Sequence, residues 1–220
     1  MALHLFTYDN PPSERDLVRT IQILQDDGII AYPTDLNWAM GCDATSVKAL
    51  DRLRALKPHH KKEIPFSLIV SSIAMASDYV QIESHNYRLL RKAWPGPYTA
   101  ILPAAKNLPR LFREKRDTIG LRIPESPLLL AVVERLGRPL VSTSVPRLAP
   151  TGDHLEPPEG RLPKYGYDVD EVCGHALDLI LDLGEELTGQ ESTVVDLTGA
   201  VPEIVRVGAG DPSFFQIPGA

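Results

Sequence analysis

The sequence predicts an α/β protein built on a single twisted, open, mixed sheet with flanking helices. Three observations carry that expectation. Short apolar runs bounded by turn residues alternate with stretches whose apolar positions recur at helical spacing. The hydrophobic fraction of 43 % beside 24 % charged residues suits a sizeable core with a solvated surface. The one long segment without periodicity, residues 146–166, is rich in Pro, Gly and charge and reads as a surface loop or lid rather than a linker between domains. The 220 residues are therefore read as one domain over 1–211, with a short tail at 212–220 that either packs loosely on the domain or dangles.

The elements follow in order. Residues 3–7 form a short strand, and Ser13 caps a helix running to about Asp27, with Leu17, Ile21 and Leu24 on its buried stripe. Gly28 breaks that helix. The run 29–32 is a strand ending at Pro33, which places Thr34 and Asp35 in a loop at a strand's C-terminal edge, where open α/β sheets gather ligands. Ser46 caps a second helix through Leu56, with Val47, Leu50, Leu53 and Ala55 or Leu56 inward, and Pro58 stops it. Strands are expected at 66–70, 99–102, 118–123, 140–144, 177–181, 193–197 and 204–207. Helices are expected at 86–93, 108–112 and 127–136.

The formal net charge of −6 argues against a chain that coats nucleic acid over its whole surface. The bases nevertheless cluster. Arg52, Arg54, Lys57, Lys61 and Lys62 form one run, joined by His59 and His60, and Arg110, Arg113, Lys115, Arg116 and Arg122 form another, which points to a localised anion site. No basic segment followed by a long apolar run opens the chain, and no stretch is apolar enough to span a membrane, so a cytoplasmic protein is expected. Cys42 and Cys173 are read as two reduced thiols, and no metal site is visible at zinc-ligand spacing around either.

Neither a P-loop nor a Gly-x-Gly-x-x-Gly turn is present, so a phosphate site would be assembled from hydroxyls and cations at strand ends. Thr34, Lys57, Thr118, Arg122, Ser142, Thr143, Ser144, Ser192 and Arg206 all fall at such positions. Alone, each Ser or Thr is as well explained by local capping.

The stretch Tyr32-Pro33-Thr34-Asp35-Leu36-Asn37-Trp38-Ala39-Met40-Gly41-Cys42 resembles the signature that opens YrdC-like domains. Trp94-Pro95-Gly96-Pro97-Tyr98-Thr99 resembles the family's Pro-Gly-Pro-x-Thr turn, and Thr118-Ile119-Gly120-Leu121-Arg122-Ile123-Pro124 its Thr-x-Gly-x-Arg-x-Pro strand. Ser142-Thr143-Ser144, Ser192-Thr193-Val194-Val195-Asp196 and Arg206 with Gly208 follow in family order. The resemblance is to the YrdC/YciO family, and to its YciO branch most of all.

That resemblance implies a YrdC-like (YrdC/RibB-type) fold with a concave, positive groove. It also implies a threonylcarbamoyl-AMP synthase type of nucleotidyltransferase, which joins L-threonine, bicarbonate and ATP, with Mg2+ accompanying ATP, into threonylcarbamoyl-AMP and pyrophosphate for tRNA modification. Carried over, Lys57 and Arg122 are the catalytic residues. Thr34, Arg122, Ser142 and Ser192 hold the threonine and carbamate, and Lys57, His59, Thr118, Ser144 and Arg206 the nucleotide. The alternative is a YciO-type protein that binds tRNA or double-stranded RNA through Lys61, Lys62, Arg110, Arg113, Lys115 and Arg116 without this chemistry. Two departures from the synthase pattern keep both open: Lys57-Pro58-His59 replaces Lys-x-Arg, and Ser144-Val145-Pro146 replaces Ser-x-Asn. On either reading, Arg122→Ala should impair ligand binding with little change in melting temperature.

Overall fold

A computed structural model describes residues 2–56, 66–106, 108, 117–150 and 160–215. Their strands are Leu3–Phe6 (β1), Ile30–Pro33 (β2), Trp38–Asp43 (β3), Ser67–Ile69 (β4), Tyr98–Pro103 (β5), Thr118–Arg122 (β6), Leu140–Ser144 (β7), Leu179–Asp182 (β8), Thr193–Asp196 (β9) and Glu203–Arg206 (β10). Their helices are Glu14–Gln25 (α1), Val47–Ala55 (α2), Ile73–Tyr79 (α3), Ser84–Ala93 (α4), Pro127–Leu136 (α5) and Gly166–Cys173 (α6). All the strands join one mixed sheet in the order β1-β8-β2-β3-β7-β4-β6-β5-β9-β10. β1, β8 and β2 run parallel, as do β4 with β6 and β5 with β9, and the remaining pairs are antiparallel.

Side chains alternate across a strand, so each strand feeds two layers. On one face, Leu17, Ile21 and Leu24 of α1 pack with Leu128, Leu129, Val132, Val133 and Leu136 of α5 over Ile30, Tyr32, Ala39, Leu140, Leu179 and Leu181. On the other, α2, α3, α4 and α6 cover Ala31, Met40, Cys42, Leu68, Ala100, Leu121, Val141 and Val195. Strands β2, β3 and β8, sandwiched between both layers, are buried at every position and carry continuous apolar runs.

The α1/α5 layer stops short of the far half of the sheet. There β5 alternates between buried Tyr98, Ala100 and Leu102 and half-buried Thr99, Ile101 and Pro103, and β9 alternates likewise. Thr118, Gly120 and Arg122 of β6 share that second parity. The half-buried rows form an open face beside α1 and α5, and this face positions the site.

Several expectations are corrected. Residues 38–43 form β3, the second arm of a hairpin with β2, which their continuous apolar run concealed. α3 and α6 were not anticipated. Ser13 stands at the start of α1 without a side-chain capping bond, whereas Ser46 accepts the Ala49 N–H as expected. Val47 is exposed at the first position of α2, at the edge of the buried stripe of Ala49, Leu50 and Leu53. The 146–166 segment is not wholly superficial: Leu162 is buried and Leu148 N–H donates to the Arg161 carbonyl. The tail packs through residue 215, where Phe214 and Phe215 meet Tyr98 and Phe215 is buried. The helix expected at 108–112 falls largely outside the described residues.

Candidate functional site

The hairpin turn between β2 and β3 is held by Thr34. Its hydroxyl donates to the Asn37 carbonyl (2.8 Å) and accepts from the Leu36 and Asn37 amides (3.1 Å each). A hydroxyl offers one donor and two acceptor positions, so Thr34 is fully committed to its own turn. The turn is braced from outside, since the Thr188 hydroxyl and the Gly189 N–H both donate to the Leu36 carbonyl.

That bracing presents Asp35 to Arg122, which comes from the end of β6. Arg122 Nη2 donates to both carboxylate oxygens of Asp35 (2.7 and 2.9 Å), and Nε donates to the Gly96 carbonyl at 3.2 Å. The side chains of Arg122 and Asp35 are 7 % and 14 % exposed, so the pair is largely desolvated. Burial pushes the Arg122 pKa down, the Asp35 carboxylate opposes that shift, and the charge of nearby Arg206 adds to it. Nη1 makes no hydrogen bond among the described residues.

Next along the open face, Tyr32 reaches over β3 to donate its hydroxyl to Ser142 Oγ at 2.8 Å, and burial pushes the Tyr32 pKa up. The crossing requires glycine at position 41: a Cβ there would lie 2.2 Å from the Val141 carbonyl oxygen and 2.9 Å from the Tyr32 hydroxyl. On the far side, Ser192 Oγ and Thr99 Oγ1 are 2.8 Å apart. Arg206 Nη2 and Nε grip the Ser192 carbonyl (2.9 and 3.2 Å), and Nη1 lies 3.3 Å from Glu191. Gly208 completes the grip, donating its N–H to Thr193 Oγ1 where a Cβ would fall 2.2 Å from the Glu191 carbonyl.

The strand register sorts these groups. Val194 lies opposite both Thr99 and Arg206, placing Arg206 toward the Arg122 end of β6 rather than the Thr118 end. Thr118 begins β6 opposite Pro103, four residues from Arg122 and so about 13 Å away. Ser144, the last residue of β7, pairs with Ala39. The structure thus gathers Thr34, Arg122, Ser192 and Arg206 around one end, sets Thr118 apart, and leaves Ser142 level with Gly120 between them. Lys57, His59, Lys61, Lys62, Arg110, Arg113, Lys115 and Arg116 lie outside the described residues.

Sequence reasoning left Asp35, Thr99, Glu191 and Tyr32 out of the site. Asp35 was detectable, since an acidic residue beside a strand-end Thr is an obvious partner for a cation, but which cation depends on register. Both described cations of the face carry carboxylate partners, so its described part does not present unpaired positive charge. Among the described residues no three His, Cys, Asp or Glu side chains converge as metal ligands, and no helix is long and apolar enough to cross a membrane.

Comparison with known proteins places the geometry in context. A family model for Sua5, YciO and YrdC proteins, described as "Telomere recombination", matches residues 22–208. The uncharacterized protein YciO of Escherichia coli K12 is 33 % identical over 216 residues, covering 96 % of this chain and 98 % of its own. The crystal structure of E. coli YciO superposes with a TM-score of 0.85 at 30 % identity, covering 98 % of this chain and all of that one. A protein named threonylcarbamoyl-AMP synthase from Xanthomonas axonopodis pv. citri is 37 % identical over 134 residues, 59 % of this chain and 70 % of its own. The P. abyssi Sua5 structure complexed with L-threonine shares the fold, with a TM-score of 0.78 at 24 % identity over 94 % of this chain and 57 % of that one.

Proposed function

The chain belongs to the Sua5/YciO/YrdC family, and from that premise we propose that its open sheet face binds L-threonine and ATP and forms threonylcarbamoyl-AMP. The observation that carries the reading is the Arg122 end of the face. There a half-occupied guanidinium, the Ser192 hydroxyl and Arg206 stand at the head of an open row that passes the level of the Ser142 hydroxyl and ends in Thr118. A carboxylate at Arg122 Nη1 would receive a charge-assisted hydrogen bond, and the hydroxyls would fix its orientation.

In the proposed reaction the threonine amine attacks the bicarbonate carbon, water leaves, and a carbamate forms. A carbamate oxygen then attacks the α-phosphorus of ATP and pyrophosphate departs. The protein's contribution is alignment of three reactants and donors placed where charge develops. Thr34 supports this by shaping the turn that aims Asp35, and its own hydroxyl is already spent there. Magnesium would arrive with ATP, held by phosphate oxygens and water, which suits a face where no carboxylate cluster converges among the described residues. Lys57, His59, Thr118 and Ser144 would serve the nucleotide, and the product would feed tRNA modification.

A second reading has a specific observation in its favour: the YciO protein of Escherichia coli matches 96 % of the chain, while the Xanthomonas axonopodis synthase matches 59 % of it. On that reading the face, with Lys61, Lys62, Arg110, Arg113, Lys115 and Arg116, holds tRNA or double-stranded RNA without turnover. Pyrophosphate release from ATP with magnesium, measured with and without L-threonine and bicarbonate, separates the two. Threonine-dependent release lost in Lys57→Ala supports the synthase. No release, together with tRNA binding that weakens steeply with salt, supports the RNA-binding reading.

A further inference from the structure

We propose that Asp35 is the residue that decides which anions the open face accepts. It holds one side of the Arg122 guanidinium and leaves the Nη1 side to ligands that bring, beside their own anionic group, a hydrogen-bond donor for Asp35. Free inorganic anions are turned away. The inference rests on the reading of this face as the ligand site.

The geometry supports it from three directions. Both Asp35 oxygens accept from Nη2 while Gly96 takes Nε, so Nη1 alone is left for an incoming group. The carboxylate cannot readily swing aside, because Thr34 saturates the turn and Thr188 and Gly189 clamp Leu36 from without. Finally, the pair is largely desolvated. An anion approaching it meets a neutralised guanidinium and an adjacent negative charge, and it gains attraction only if its own donor or cation engages Asp35. Asp35 acts twice in this scheme: it accepts the ligand's donor directly, and it neutralises the guanidinium that meets the ligand's anionic group.

The test is binding of sulfate and of L-threonine to the full chain, by calorimetry and thermal shift, in the wild type, Asp35→Asn and Asp35→Glu. The wild type should show no saturable sulfate binding at millimolar concentration. Asp35→Asn should bind sulfate roughly tenfold or more tightly, as a released charged hydrogen bond allows, and bind L-threonine more weakly. Asp35→Glu should return toward the wild-type pattern. A residue that served only to hold the fold would lower stability without creating a sulfate response, so equal sulfate binding in wild type and Asp35→Asn overturns the inference. So does failure of Asp35→Asn to fold even with sulfate present, since the anion is expected to take the place of the carboxylate. On the wild type alone, a sulfate site that Arg122→Gln abolishes overturns it as well. If Asp35→Asn gains sulfate while the wild type ignores L-threonine, the ligand reading fails and the role of Asp35 stands.

Discussion

Replacing Arg122 with Met isolates the energetic role of the site's central ion pair. The substitution keeps an aliphatic stem of similar reach but removes two hydrogen bonds to Asp35 and one to Gly96. With side chains only 7 % and 14 % exposed, the orphaned Asp35 is left with little water to replace its partner. Breaking a buried pair on one side typically costs about 3–5 kcal/mol. For a domain of this size each kcal/mol moves the melting temperature by about 2–4 °C, so the variant should melt roughly 6–20 °C lower. Arg122→Met/Asp35→Leu, which removes both charges, should recover most of that loss. Calorimetry on the wild type, both singles and the double closes the cycle. A single variant melting within about 2 °C of wild type would refute the reasoning and restore the sequence-based expectation that Arg122 is a cation with little structural role.

Three further outcomes are expected. Gly208→Ala drives a Cβ against the Glu191 and Ser192 backbone, which cannot yield as a flexible side chain would. It should destabilise the chain by about 1–3 kcal/mol and loosen the Arg206 grip, read as weaker ligand binding in calorimetry than in a variant of equal stability loss elsewhere. Asp43 and Asp168 are both held below the usual carboxylate range: burial opposes their ionisation, but Arg138 and Thr45 on Asp43, and Arg161 with the Lys164 and Tyr165 amides on Asp168, outweigh it. A depressed folded pKa contributes stability above the unfolded value of about 3.9 that is lost as pH falls through the folded one. Urea midpoints should therefore drop below about pH 4, and Arg138→Met should flatten that slope. Burial pushes the Cys42 thiol up to about 12 and Cys173 to about 11, so a thiol reagent at pH about 8 should label neither until the chain unfolds. Prompt labelling of the native protein would contradict this packing.

How far the sequence could be read depended on the range of the interactions involved. The stripe of α1, the Ser46 cap and the Pro33 strand end rest on neighbours within a turn or two, and each stands where local chemistry put it. β3 escaped because a strand buried on both faces loses the alternation that marks a strand, and Trp38 to Cys42 is apolar at every position. The site was legible as a set of residue types but not as an arrangement. Nothing local to Arg206 shows that it grips the Ser192 carbonyl, and nothing local to Thr34 shows that its hydroxyl closes its own turn on the Asn37 carbonyl.

The sequence by itself determined the alternation of elements, the family motifs in their order and the supply of hydroxyls and guanidinium groups at strand ends. All of these follow from local periodicity and residue chemistry. Only the tertiary structure decided that Arg122 is partnered by Asp35, 87 residues away, and that Ser142 is partnered by Tyr32, 110 residues away. Such pairings depend on strand register and on which half of the sheet α1 and α5 leave uncovered. A slip of one residue would turn every one of those side chains to the opposite face.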